Sequence, residues 1–255
     1  VIGRSALFVT SPLLDAAGVR HGFSTRAGGV STGRYATLNV GGKWGDDPAH
    51  VDENRRRLAD AGGFALARLA TCRQVHGARV IVIDNNSPPR DALASEEADG
   101  IATALSGQVL GVYTADCVPL VLADDAGRAA AVHAGWRGTA ARIAATAVET
   151  LVALGARRDR LLAALGPSIC ARCFEVGEEV ATVFDALAPA SVTRRAGEKP
   201  HVDLRLANRA ILVDAGLDPA RIDAAPPCTM CEPDRFFSFR RDGGQIGQHL
   251  SWVAT

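Results

Sequence analysis

Three short segments carry the residue types from which a reactive site can be built: Arg73-Gln74-Val75-His76-Gly77, Thr114-Ala115-Asp116-Cys117 and His133-Ala134-Gly135-Trp136-Arg137-Gly138. Two imidazoles and a thiolate suit Zn²⁺, a borderline-soft ion that takes nitrogen and sulfur donors in a tetrahedron. With three protein ligands a fourth position stays open for water, and the net positive charge left by a single thiolate acidifies that water towards neutral pH. That is catalytic rather than structural coordination. The separations match no short zinc signature, so each His also has a reading as a hydrogen-bonded core imidazole.

The elements around these segments must hold them in place. Apolar runs rich in branched residues at 78–83 (ARVIVI), 108–113 (QVLGVY) and 118–123 (VPLVLA) have the length and composition of buried strands. Asp124-Asp125-Ala126-Gly127 is a turn signal, and 128–133 (RAAAVH) reads as a strand returning beside its predecessor. That hairpin brings Cys117 and His133 to the same end of a sheet. Thr139 reads as the cap of an Ala-rich helix ending near Gly155, with Ile143, Ala147, Leu151 and Leu154 at helical spacing. A shorter strand is predicted at 161–165, a helix at 175–187, and a strand at 236–239 ahead of a Gly243-Gly244 turn. The interleaving gives an α/β class, or α+β where the strands are mainly antiparallel. No repeat, heptad run or linker divides the chain, so residues 1–255 are expected to form a single catalytic domain.

The chain is 47% hydrophobic, and 28 Lys and Arg balance 28 Asp and Glu, which allows a large core and gives no global attraction to nucleic acid or lipid. Any anion site must be local. No apolar run is long enough to span a bilayer and no leader-like pattern is present, so the cytoplasm is the expected compartment. Six cysteines suit a reducing environment. Cys170/Cys173 and Cys228/Cys231 are two C-x-x-C pairs, the sharpest rival motif, because four thiolates can form a structural zinc site. Lying in different parts of the chain, they read instead as free thiols or a redox-sensitive pair near the pocket. Cys72 reads as a small buried hydrophobe, His201 and His249 as ordinary hydrogen-bonding residues, and Arg55-Arg56-Arg57 as a solvated helix face.

The wording around the candidate ligands is more specific than their spacing. In order, the landmarks are His21-Gly22-Phe23-Ser24-Thr25-Arg26 with Gly28-Gly29-Val30-Ser31, then Leu38-Asn39, Glu53-Asn54-Arg55 and Gln74-Val75-His76-Gly77. Ala115-Asp116-Cys117-Val118-Pro119, the His133 to Gly138 segment, Gly166-Pro167-Ser168-Ile169 and Val202-Asp203-Leu204 follow, and Cys228-Thr229 and Phe237-Ser238-Phe239-Arg240-Arg241-Asp242-Gly243 complete the series. Over nearly the whole chain these words resemble the YfiH/laccase-domain family, once described as polyphenol oxidases and now associated with purine nucleoside phosphorylase activity. The resemblance implies a layered sandwich of the CNF1/YfiH-like type, with His76, Cys117 and His133 as the metal ligands. Zinc is the implied ion, and copper is the less favoured one. It also implies phosphorolysis of adenosine, inosine, guanosine or S-methyl-5'-thioadenosine, with adenosine deamination as a companion activity. The partners are then a small nucleoside and phosphate, not nucleic acid or membrane; a homodimer is compatible with the sequence, which does not fix the oligomeric state. Gln248 is a departure, since the family usually carries Arg after the preceding Gly.

Four further residues are candidates for the chemistry. Asp116 is read as the acid/base that passes a proton to departing ammonia, or as a turn-forming Asp that fixes a strand end. Arg26, in a Gly-rich loop, and Arg137, ahead of a helix, are phosphate candidates because a guanidinium fork suits that anion; the alternative for each is a structural surface Arg. Gln74 is read as a reader of the base edge or an orienter of His76, or as a backbone-bonding residue, and Trp136 as packing beside the loop more than as a purine stacker. Two other functions remain in view. Cys117 activated by His133 would make a thiol hydrolase or amidase, and a zinc-stabilised nucleotide-binding module would need no turnover. A copper phenol oxidase is the weakest enzymatic alternative, because one His₂Cys set without further His-rich sites does not readily support four-electron oxygen chemistry.

Overall fold

Thirteen strands are distributed over the residues described in the computed structural model, which are 4–255, with side chains from Ala6 onward. In chain order they are β1 (Phe8–Val9), β2 (Arg20–Ser24), β3 (Leu69–Ala70), β4 (Val80–Ile83), β5 (Gly100–Thr103), β6 (Val109–Thr114) and β7 (Val118–Ala123). β8 (Ala129–Ala134), β9 (Leu162–Leu165), β10 (Val192–Thr193), β11 (His201–Val202), β12 (Ile222–Asp223) and β13 (His249–Ala254) complete the set. One sheet has the order β1-β2-β13-β6-β3, a second β12-β9-β7-β8-β5-β4, and β10 pairs with β11 alone. Pairing is mainly antiparallel, with β12–β9, β3–β6 and β4–β5 parallel, so the class takes the α+β form.

Burial explains the continuous apolar runs. Every residue of β5, β7, β8 and β9 is buried, because the second sheet is covered on both faces. Leu120, Leu122, Ala130 and Val132 face the helices Ile143–Ala153, Glu178–Leu187 and Leu204–Asp214 through Ile143, Ala147, Leu151, Phe184 and Leu212. The alternate residues Val121, Ala123, Ala129 and Ala131 meet Phe23, Leu110, Val112 and Val253 of the first sheet. The outer face of that first sheet packs Leu250 and Trp252 on Leu58 of the helix Pro48–Gly62. The layers are therefore helix, sheet, sheet and helices. By strand parity Cys117 and His133 continue the set that points between the sheets.

The 118–134 hairpin forms as the turn signal predicts, with Pro119 opposite His133 and Val118 opposite Ala134. Three predicted elements differ. The helix from Thr139 is broken into Trp136–Ala140 and Ile143–Ala153 by Arg142, whose φ is 59°. Thr139 is buried in the first piece and accepts from Asn208 Nδ2 at 2.9 Å instead of capping. Residues 236–239 form no strand: Phe236 and Phe237 are both buried rather than alternating, and the Ser238 side chain accepts from the Arg241 amide to cap a helical turn, Phe239–Asp242. The predicted 175–187 helix begins at Glu178, after Gly177. Among the described residues no helix is long and apolar enough to cross a membrane.

Candidate active site

The chain passes from one sheet to the other twice beside the same spot. β3 lies in the first sheet and β4 in the second, and His76 is on the connection between them; β6 and β7 are likewise split, with Cys117 at the end of the short link. Tight crossings force unusual backbone. His76 has φ 63° and Asp116 φ 85°, the left-handed region that costs a non-Gly residue roughly 1–2 kcal/mol. Strain of that kind persists where neighbouring groups hold it.

For His76 the holding group is Asp99, which precedes β5 and is fully buried. Its Oδ2 accepts from the Gly77 amide at 2.6 Å and the Val75 amide at 3.2 Å, and its Oδ1 from the His76 amide at 2.9 Å. Oδ1 also lies 2.7 Å from His133 Nδ1, and the Asp99 carbonyl accepts from the His133 amide at 2.7 Å. One carboxylate thus sets the loop of the first ligand and the ring of the third, leaving His133 Nε2 free to turn inward. Burial alone would raise the Asp99 carboxyl, but the bonds from His133, Gly77 and His76 outweigh it and hold the group below the ordinary carboxylate value.

The three donor atoms of His76, Cys117 and His133 lie within 4.8 Å of one another. Tetrahedral zinc with bonds of about 2.0–2.3 Å needs donors about 3.3–3.8 Å apart, so the cluster fits one ion after small side-chain adjustments. Gly135 lies directly above: a Cβ there would stand 3.1 Å from Cys117 Sγ and from His76 Cδ2. Burial raises the Cys117 thiol, yet His133 and His76 beside it bring it down to about 6; burial lowers His133, yet Cys117 and Asp99 raise it to about 9. Each group thus favours the charged form of the other, thiolate on Cys117 and imidazolium on His133.

The cluster opens onto a cavity of about 770 Å³, well inside the range of small-molecule sites. Trp44, Tyr113, Trp136, Phe174 and Phe239 form aromatic walls, and Trp44 and Phe239 approach at 6.1 Å between centroids. Val75 and Phe239 are 45% and 47% exposed, an apolar mouth with no protein cover. Lys43, Arg137 and Arg240 stand on the same walls. Arg240 donates to the Glu175 carbonyl at 2.8 Å, whereas Arg137 lies over the Trp136 ring and makes no ion pair among the described residues.

The other predicted residues are placed differently. Asp116 lines the cavity, but its Oδ1 accepts from Thr229 Oγ1 at 2.5 Å and its Oδ2 from Ser238 Oγ at 3.0 Å and the Arg240 amide at 2.6 Å. Its carboxyl is raised by burial in spite of those donors, and its geometry is that of a bracket between the Cys117 turn and residues 229–240 rather than of a free proton shuttle. Arg26 is not on the cavity wall: its guanidinium donates to the Ala36 and Pro233 carbonyls and stacks on Phe237, which corrects its reading as a phosphate ligand. Gln74 does line the wall, but its amide is paired in both directions with the Tyr113 backbone at 2.7 Å, the backbone-bonding role. Gln248 reaches the cavity over Gly41, where a Cβ would collide with its Oε1. Asp99 and Trp44 carried no sequence signal, because each acts through contacts distant in the chain, with residues 75–77 and His133 for Asp99 and with Phe239 for Trp44; Thr229 stood in a landmark pair, but nothing local showed that it holds Asp116.

The fold and site together define a layered two-sheet protein with a three-donor cluster at the sheet crossing that could hold a metal ion. The chain belongs to the family described as multi-copper polyphenol oxidoreductase laccase, whose model matches residues 20–255. It is 45% identical over 240 residues to a purine nucleoside phosphorylase of Deinococcus radiodurans, covering 93% of this chain and 90% of that one. It is 46% identical over 242 residues to adenosine deaminase RL5 from an unknown prokaryotic organism, covering 91% and 92%. The crystal structure of the YfiH protein of Bacillus licheniformis superposes with a TM-score of 0.91 at 28% identity, covering 98% of this chain and 96% of that one. The groups among the described residues that could hold a metal are the His₂Cys cluster and one of four cysteines, and neither matches a multi-copper arrangement.

Proposed function

We propose that the chain is a zinc-dependent purine nucleoside phosphorylase acting on adenosine, inosine, guanosine and S-methyl-5'-thioadenosine, with adenosine deaminase activity at the same site. The observation that carries this reading is a His₂Cys cluster opening on one side into an aromatic, cation-rimmed cavity of about 770 Å³. The similarity to relatives named for both activities supports it. Zinc held by His76, Cys117 and His133 would supply Lewis acidity at the floor of the cavity.

The chain's own residues do the rest. Trp44 and Phe239 offer flat apolar faces to a purine, and Trp136 and Phe174 extend the wall. Arg137 presents an unpaired guanidinium to phosphate, with Lys43 and Arg240 adding charge at the rim. Asp99 fixes both histidines, and Asp116 holds the wall carrying Arg240 against the Cys117 turn.

A second reading rests on one specific contact. Cys117 beside His133, whose Nδ1 is 2.7 Å from Asp99, is also the arrangement of a Cys-His-Asp nucleophile. Incubation of metal-quantified protein with adenosine, with and without phosphate, separates the two. Phosphate-dependent adenine from wild type, absent in Cys117→Ala, is the expected result; inosine without phosphate marks the deaminase. Full activity after the metal is stripped would replace this reading with the thiol nucleophile.

A further inference from the structure

Four cysteines take no part in the site described above, and the fold brings them together. Residues 170–174 form a tight turn in which the Cys173 and Phe174 amides both donate to the Cys170 carbonyl at 3.0 Å. Residues 228–231 follow β12, and Ser168 pairs with Cys228 in an isolated parallel bridge. Across it the Thr229 amide donates to the Ser168 carbonyl at 3.1 Å and the Ser168 amide to the Pro227 carbonyl at 3.3 Å. Arg205 clamps both loops, donating to Ser168 Oγ at 3.0 Å and to the Pro226 and Pro227 carbonyls at 2.8 and 2.9 Å. The distance in sequence that argued against a shared site is closed by these contacts.

The result is four sulfur atoms within 4.8 Å of one another. Cys173 Sγ is 3.4 Å from Cys231 Sγ, and Cys228 Sγ accepts from the Cys170 amide at 3.3 Å. Zinc–sulfur bonds of about 2.3 Å place tetrahedral sulfurs about 3.8 Å apart, so little movement is needed. A disulfide would use two of the four and requires sulfurs at about 2.05 Å. Convergence of all four on one point is what a tetrathiolate centre requires. Cys228 is buried and Cys231 exposed, which gives an ion a shielded seat with an entry path.

We propose that Cys170, Cys173, Cys228 and Cys231 bind a second zinc ion in a closed structural centre. On binding, four zinc–sulfur bonds form, thiol protons leave to solvent, and no electron is transferred. Four thiolates fill every position, so this ion activates no water. Its place in the fold defines what it does instead. Ile169 and Phe174 on one tied loop, and Phe239 and Arg240 beyond the other, are walls of the cavity. Thr229, next to Cys228, holds Asp116. The centre therefore fastens two walls of the active site to each other, whatever reaction takes place there.

The test is zinc content by mass spectrometry of the full chain, purified without chelator, combined with X-ray absorption. Wild type is expected to carry two zinc ions per chain and Cys117→Ala one, whose remaining shell is four sulfurs at about 2.3 Å with no nitrogen. Cys173→Ser/Cys231→Ser is expected to keep one ion in a nitrogen-containing shell; should that variant not fold, the absorption spectrum of Cys117→Ala decides alone. Loss of all zinc from Cys117→Ala, or a Cys173–Cys231 disulfide in zinc-free wild type purified anaerobically, would overturn the proposal.

Discussion

A carboxylate taken wholly out of water is costly unless its lone pairs are used, and Asp99 uses them on three consecutive amides and an imidazole. Asn at this position keeps the size but offers one acceptor oxygen instead of two, and its NH₂ faces amides or a ring nitrogen that also donates. Asp99→Asn should therefore fold yet bind zinc at the His₂Cys site about 10–100-fold more weakly, measured by competition with a chromophoric chelator. An unchanged affinity would show that the ligands position themselves. The pair Cys117 and His133 adds a pH dependence. Ligation needs the thiolate, present above about 6, and neutral His133, which is protonated below about 9. Between those values each ion bound displaces one proton from His133, so affinity should rise about tenfold per pH unit and flatten above 9. A pH-independent affinity between about 6.5 and 8.5 would remove the imidazolium from this account. At this scale the sequence was informative about the donors that converge and poor on their supports: His76, Cys117 and His133 sit in distinctive words, whereas Asp99 lies among Glu96, Glu97, Ala98 and Gly100, where nothing local distinguishes it from a turn acid.

Crossing between sheets is what makes the β6–β7 link both short and strained, and Asp116 ties that link to the segment 229–240 through two hydroxyls and an amide. If Asp116 acts as this bracket, Asp116→Asn should lower phosphorolysis and deamination together and lower the midpoint of thermal unfolding, at a cost of about 1–3 kcal/mol for the donors left facing an NH₂. Deamination lost alone, at unchanged stability, would return Asp116 to the role of proton carrier. Elements that bury a continuous face were legible in sequence: β7 matches its apolar run residue for residue, and the Asp-Asp-Ala-Gly turn fixes the hairpin register. The helix break at Arg142 and the capped turn at Phe239–Asp242 were not. In both places side-chain bonds to remote partners, Asn208 for Thr139 and Asp116 for Ser238, replace the local pattern that a periodicity reading depends on.

For the molecule as a whole, formal charge is balanced, yet the cavity gathers Lys43, Arg73, Arg137 and Arg240 at its walls against a single carboxylate, the buried and bonded Asp116. The phosphate of the proposed reaction would then be drawn by a local field, not by the protein's net charge, and such a field is screened over about 8–10 Å by physiological salt. The cations are not equivalent: Arg73 pairs with Glu97 and Arg240 is tied to the Glu175 carbonyl, while Lys43 and Arg137 are both exposed, lie over their neighbouring Trp rings and make no ion pair among the described residues, and of those two Arg137 alone offers a guanidinium fork to phosphate. Arg137→Ala should therefore raise KM for phosphate, by roughly 3–30-fold once solvent screening is allowed for, with a much smaller effect on KM for the nucleoside. The wild-type KM for phosphate should also climb with added sodium chloride more steeply than that of the variant. Steady-state rates with phosphate varied at saturating inosine, at low and high salt, measure both. Equal salt slopes in the two proteins would remove Arg137 from the phosphate site.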